Sequence, residues 1–412
     1  MDTLVAHCAG LDVHKDSVVA CVRHQPAHGR ARCEVRTFTT LTAGLLQLAD
    51  WLAEEGVTHA AMESTGVYWK PVYHVLEGSV ELLLVNAQHL KKVPGRKTDV
   101  KDCEWIAQLL QCGLLKASFI PPAPIRQLRD LTRQRSQLVG ERTRAANRIQ
   151  KVLEDANIKL ASVATDVLGA SGRAMLAALV GGETDPDRLA ELARGRLREK
   201  LPRLRQALRG TVTEHHRFLL RLLLQQVSFL EEQIEQFCGR IAEVLGPFEE
   251  KVQRLTEVPG ISRTVAEVVL AELGTDLEAF ASEGHLASWV GLCPGNDRSA
   301  GKRRSGRTGK GNRWLKATLV QAAWAASRTR KSYLGARFRR LASRRGRKRA
   351  LVAVGHSLLG IIYQVLKEGK PFRELGEDYF DRLQAERMTR RLVHRLERLG
   401  HKVTLEPTHK AG

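Results

Sequence analysis

Apolar and polar residues along the first 118 positions follow two periods, and their order is informative. Alternation with period two predicts strands near 4–11, 17–23 and 31–38. The two periods then alternate, predicting a helix near 42–55, a strand near 57–63, a helix near 67–77, a strand near 80–85 and a helix near 99–113. Three prolines in SFIPPAPIRQL (118–128) break the pattern and end a first domain.

Beyond that break the pattern is almost wholly helical. Segment 126–160 places Leu131, Leu138, Ala145 and Val152 on one face, and GGETDPD at 181–187 interrupts it before a further helical stretch. The clearest repeat runs from 214 to 245. Leu220, Val227, Ile234 and Ile241 occupy one seam position, and Leu223, Leu230, Phe237 and Val244 the other. Such heptads predict a coiled coil, whose partner is either the same chain folded back or another subunit. In LTEVPGISRTVAEVVLAELG (255–274) two helices flank the turn Val258-Pro259-Gly260-Ile261. It is similar to a helix-hairpin-helix, where backbone N–H groups hold a phosphate, and equally to a plain αα turn. Segment 291–316 mixes Gly, Ser and basic residues and reads as a loop until a helix starts at Trp314. Residues 375–400 form a charged amphipathic helix with no chemistry assigned. The expected domains are 1–118, 119–250, 251–370 and 371–412.

Charge narrows the class of partner. Formal charge is +21, and from Arg298 through Lys367 there are twenty Lys or Arg and no Asp or Glu. A solvated face normally mixes signs, so this window predicts binding to a polyanion, with Gly260, Arg263, Lys302, Arg303, Arg304, Arg307, Lys310 and Arg313 as nucleic-acid contacts. No run of about eighteen apolar residues predicts a membrane span, and MDTLVAHC lacks the layout of a secretory signal. Seven scattered cysteines form neither a disulfide ladder nor a zinc pattern. The expected location is the bacterial cytoplasm, with the nucleoid.

Candidate chemistry lies in four acids. Asp12 and Glu63 each end a short apolar run, and Asp99 and Asp102 share one helix face in KTDVKDCEWIAQLL. Singly, each also fits a turn or a helix N-terminus. Three strands followed by alternating helices and strands is the order of a ribonuclease H-like α/β fold. That fold carries metal-binding acids on its first strand, fourth strand and last helix, where these acids fall. Carboxylate oxygens suit Mg²⁺, and paired ions serve phosphodiester chemistry. Ser299 and Ser305 are the hydroxyls of the basic loop, and composition does not choose between them.

GLDVHK, AMESTGVYW, KTDVKDCEWIAQLL, VPGISRTVAEVVLAELG and GLCPGNDRSAGKRRSGRTGKGNRWLK stand in one order along the chain. Together they resemble the DEDD transposases of the insertion-sequence-110 family, over about residues 8–366. The resemblance implies a RuvC-like N-terminal domain and a C-terminal transposase domain with an essential serine. It maps the tetrad onto Asp12, Glu63, Asp99 and Asp102, and the serine onto Ser299, with Ser305 as rival because the family's frequent Ser-Gly is here Ser299-Ala300-Gly301. It further implies two Mg²⁺ ions per composite site, with Mn²⁺ as a substitute, and double-stranded DNA as partner. A homo-oligomer joined across the coiled-coil arm and a structured guide RNA complete the set. The alternatives are a Holliday-junction resolvase that hydrolyses with water and an inactive DNA-binding protein.

Overall fold

The computed structural model describes residues 4–26, 31–64, 66–86, 102–295, 297–383 and 385–405. They form two compact units, Met1–Ile120 and Pro121–Gly412.

The first unit is a mixed five-stranded sheet with helices. Strands β1 (His7–Val13), β2 (Ser17–His24) and β3 (Arg32–Thr39) form an antiparallel meander. Helix α1 (Thr42–Glu54) crosses to β4 (His59–Glu63), and α2 (Trp69–Leu76) crosses to β5 (Glu81–Val85). A helical crossover returns the chain parallel, so β4 pairs parallel with both β1 and β5, giving the order β3-β2-β1-β4-β5. This architecture is compatible with a ribonuclease H-like fold. Helix α3 (Asp102–Gln111) packs on the opposite face.

Strand alternation sorts the core. Ala9 and Leu11 of β1 bury against Leu48, Trp51 and Leu52 of α1. Cys8, on the other face, buries with Ala61 of β4 and with Ile106, Leu109 and Leu110 of α3. Gly10 shares the face of Cys8. A Cβ built there would lie 2.1 Å from the Cys103 carbonyl oxygen and 2.4 Å from the Ala107 nitrogen. Only glycine lets α3 lie this close to β1.

The second unit is mostly helical. Helix α4 (Ala123–Asp155) runs along α8 (Glu214–Leu245), with α5 (Ala170–Val180), α6 (Pro186–Glu191) and α7 (Leu201–Ala207) between them in sequence. Leu220, Val227 and Ile241 of the predicted seam are fully buried. Val227 belongs to a core that also holds Ile149, Leu153 and Met175, so this stretch of the seam finds an intramolecular partner.

Helices α9 (Glu249–Thr256), α10 (Arg263–Leu273) and α11 (Glu283–Val290) follow, then a two-stranded ribbon, β6 (Asp297–Ser299) and β7 (Lys302–Ser305). Helices α12 (Arg313–Ala326), α13 (Tyr333–Arg345), α14 (Arg347–Lys367), α15 (Tyr379–Leu383) and α16 (Ala385–Arg398) complete the chain. The ribbon corrects the expectation of a plain loop, and α12 starts at Arg313 rather than Trp314.

The expectation of no membrane-length apolar stretch also changes. Helix α14 is long and apolar enough to cross a bilayer. Gly355, His356, Ser357 and Gln364 interrupt the run and hide it from a count of consecutive apolar residues. Its Val354, Leu358, Leu359 and Ile362 are fully buried, and it packs against α9, α11, α12 and α13. We read it as the central core helix of this unit.

Gly10→Ala forces β1 and α3 apart. The expected cost is on the order of 1–3 kcal/mol, read by chemical denaturation. Unchanged stability would contradict the close backbone contact.

Candidate active site and nucleic-acid interface

Leu11 is paired with Met62 across the parallel strands β1 and β4, so Asp12 and Glu63 are the next residues on neighbouring strands. Leu11 and Met62 both bury on the α1 face. Alternation therefore turns Asp12 and Glu63 toward the α3 face, where α3 begins at Asp102. Burial raises the Asp12 pKa above its ordinary 3.8. The His14 ring opposes this, and the charges of Asp102 and Glu63 add to the rise. His14 Nε2 stands 3.2 Å from Asp12 Oδ2. Asp12 therefore feels the charges of acids from two other elements, Glu63 of β4 and Asp102 of α3. Asp99 lies outside the described residues.

The basic segment is clasped at its base. Gly291 and Gly311 meet so closely that a Cβ on Gly311 would lie 2.4 Å from the Gly291 nitrogen. Gly295 N–H donates to the Arg307 carbonyl at 2.8 Å, and Asn312 N–H to the Trp289 carbonyl at 3.2 Å. Above this clasp, β6 and β7 pair antiparallel, with Ser299 opposite Lys302 and Ser305 opposite Asp297. Ala300 and Gly301 both have positive φ, 50° and 75°, as a two-residue type I′ turn requires. Ser299 therefore abuts the hairpin tip. Ser305 sits at the base, where its Oγ accepts from Arg307 N–H at 3.2 Å.

One buried carboxylate ties this clasp to the longest helix. Glu272 is fully buried. It accepts two hydrogen bonds from Arg133 of α4, at 2.7 and 2.8 Å, and one from Asn312 Nδ2 at 2.7 Å. Arg129 donates to the Ala271 and Glu272 carbonyls at 3.1 and 2.8 Å. Asn312 Oδ1 in turn caps α12 by accepting from Trp314 and Leu315 N–H.

Two family models match the chain: the DEDD transposase model of the IS110 family over residues 9–158, and "Transposase IS116/IS110/IS902 family" over residues 252–339. The first spans all three described acids, and the second spans the ribbon. This chain belongs to the insertion-sequence-110 family of transposases. A Pseudomonas aeruginosa protein named "Probable family 20 transposase" is 26% identical over 334 residues, covering 79% of this chain and 89% of its own length. The Yersinia enterocolitica "Transposase for insertion sequence element IS1328" is 25% identical over 325 residues, covering 76% of this chain and 82% of its own. The transposase is therefore an enzyme that cuts and joins DNA, and its family implies a divalent metal.

The donor chemistry of this transposase fits such an ion. Asp12, Glu63 and Asp102 offer hard carboxylate oxygens, and the Asp12 pKa is raised first by burial and then by the charges of Asp102 and Glu63, both of which a cation would offset. No three described His, Cys, Asp or Glu residues stand close enough together to hold an ion.

The predicted nucleic-acid contacts divide. Lys302, Arg307, Lys310 and Arg313 are exposed around the ribbon and its exit, and Arg303 and Arg304 lie on β7. Arg263 instead donates to both Glu249 oxygens, at 2.7 and 2.8 Å, so its charge is spent within the protein. Gly260, at φ 90°, packs against the backbone of α12; a Cβ there would meet the Ala322 carbonyl oxygen at 2.4 Å. That contact alone explains the glycine. His14 is exposed in the turn that follows β1, within reach of Asp12. Sequence reasoning missed the Glu272 network entirely, because no local pattern joins residues 129, 133, 272 and 312.

The folded pKa of Asp12 lies above its unfolded value, so its contribution to stability is present at low pH. That contribution is lost as pH rises from about 3.8 through the raised value. In metal-free buffer, Asp12→Asn should flatten this decline. The melting-temperature difference, variant minus wild type, should grow between about pH 3.8 and neutrality. A difference independent of pH would show that folding does not raise the Asp12 pKa.

Proposed function

We propose that this transposase is a Mg²⁺-dependent serine recombinase in which Asp12, Glu63, Asp99 and Asp102 hold the metal and Ser299 is the nucleophile. The placement of Asp12, Glu63 and Asp102 on one face, with Asp12 raised by burial and by the charges of the other two, supports the metal half of this reading. We take the bound state to contain two Mg²⁺ ions, with Mn²⁺ able to replace them; they would supply charge stabilisation at the scissile phosphate. His14 holds the Asp12 carboxylate by a contact that a cation would replace.

The ribbon supports the serine half. Ser299 stands next to a tight turn with Lys302 across from it, whereas the Ser305 hydroxyl is engaged in a local turn at the base. Ser299 Oγ would form an ester to phosphorus as the bond to the departing deoxyribose oxygen breaks. The serine proton leaves to solvent, and the departing oxygen keeps the electron pair. The ester conserves a phosphate bond, so rejoining needs no outside energy source. Lys302, Arg303, Arg304, Arg307, Lys310 and Arg313 would neutralise the flanking phosphates of double-stranded DNA. We assign phosphate contact to these residues ahead of Gly260 and Arg263, whose packing and pairing already account for them.

Helix α8 supports a homo-oligomer. Away from its buried seam, Phe218, Leu222 and Phe229 are 55%, 48% and 59% exposed at heptad-like spacing. A second copy of this coiled-coil arm would cover them. A structured guide RNA is the further partner that the family resemblance adds to this reading.

The test is a covalent trap. The protein is incubated with Mg²⁺ and DNA carrying the element junction, denatured, and analysed by peptide mass. The expected result is a DNA-linked peptide containing Ser299. Ser299→Ala and Asp12→Asn should each lower adduct formation at least about a thousandfold, with DNA binding retained, while Ser305→Ala keeps it. Cleaved DNA without any adduct would favour hydrolysis by water, as in a resolvase.

A further inference from the structure

A cavity of about 1080 Å³ opens beside the ribbon. One wall is the ribbon's base, with Ser305 and Arg307, and the other walls come from α13 and α14. Five cations line it: Arg307, Arg337, Arg345, Lys348 and Arg349. Among the described residues no carboxylate lines it and none of the five forms an ion pair. Elsewhere in this unit arginines near the core are neutralised, as Arg133 is by Glu272 and Arg135 by Glu267. Arg337 donates one hydrogen bond, to the Tyr333 hydroxyl at 3.0 Å, and its Nε is buried without a partner.

The local electrostatics of this cavity are unfavourable to the protein alone. Helix α14 opens with Arg347, Lys348 and Arg349, has no acid in its first turn, and has no side-chain cap at Gly346. Cations at a helix N-terminus oppose the macrodipole, and like charges around one cavity repel. An anion relieves both. The rest of the lining combines Thr308 and His356 with the apolar Leu292, Pro294, Val352 and Ala353, and that apolar part suits the sugar faces of a strand whose phosphates meet the cations. A cavity of this volume admits a single strand, not a duplex, whose major groove alone is about 12 Å wide.

We propose that this cavity binds the phosphodiester backbone of a single DNA strand, through Arg307, Arg337, Arg345, Lys348 and Arg349. It rests on the proposed function only in giving that strand a use, as the one that reaches Ser299 when the duplex is opened. The binding itself needs neither metal nor serine.

Lys348 and Arg349 are both exposed, so replacing them should leave the fold intact. Binding of a fluorescent single-stranded DNA oligonucleotide is followed by anisotropy in EDTA across a salt series. The comparison is wild type, Lys348→Gln/Arg349→Gln, and a control of equal charge change, Arg196→Gln/Arg203→Gln, placed on exposed residues far along the chain. Removing two phosphate contacts should lower the log–log salt slope by about 1.4 and weaken binding roughly tenfold near physiological salt. The control should match wild type. An unchanged slope in the first variant, or an equal loss in the control, overturns the proposal. So does a loss seen with RNA of the same sequence, or with duplex DNA, but not with the single DNA strand. Because EDTA removes the metal, failure here is separate from failure of the covalent trap.

Discussion

With no side chain at Gly10, strand β1 and helix α3 touch through their backbones, and the positions of the acids follow from that contact. The Cys103 carbonyl and the Ala107 nitrogen occupy the space that any Cβ would need. Asp12 lies two residues along the same face of β1, and Asp102 is the residue before Cys103. Close packing at Gly10 therefore brings a strand-end acid and a helix-start acid into one field. The parallel pairing of β1 with β4 adds Glu63 from the neighbouring strand. Burial of Asp12, with the charges of Asp102 and Glu63 added to it, raises its pKa and costs stability in the free protein once it ionises. Strain of this kind at a site is expected where a cation supplies the missing balance.

The second unit uses the same devices on the opposite sign of charge. Paired glycines, Gly291 and Gly311, close the base of the ribbon as Gly10 closes the strand–helix contact. Glu272 then fixes the exit of the ribbon to α4 through Arg133 and Asn312. A buried carboxylate is costly unless fully paired, and here two arginines and an amide share it. The result is a flexible-looking stretch of Gly, Ser, Lys and Arg held in one conformation. Removal of that anchor leaves the half-buried Arg133 without its carboxylate partner, so the ribbon's position and the unit's stability are linked.

The first unit was legible in the sequence because its core obeys short-range rules. Period-two strands and helical crossovers gave its element order, and the sheet order then follows from handedness and pairing. Asp12 and Glu63 were legible for the same reason, since they lie at the ends of strands that the periodicity marks, and Asp102 because it opens a helix. The long helix 214–245 was legible from its heptads, but a heptad does not say which chain it faces, and α4 supplies that partner. The ribbon escaped notice because β6 and β7 have no apolar alternation; its order comes from Ala300 and Gly301 in the turn and from distant glycines. The Glu272 network and the cation-lined cavity depend on residues far apart in sequence. Arg263 shows the converse, a basic residue in a suggestive motif whose partner is Glu249.

The central claim is that Asp12, Glu63 and Asp102 act as one divalent-metal site. Its most direct measurement is titration of Mn²⁺ into the purified transposase, followed by electron paramagnetic resonance, for wild type and for Asp12→Asn and Asp102→Asn. Loss of bound Mn²⁺ in both variants, one on a strand and one on a helix, is the predicted result. Mn²⁺ binding that survives either change would contradict a shared site.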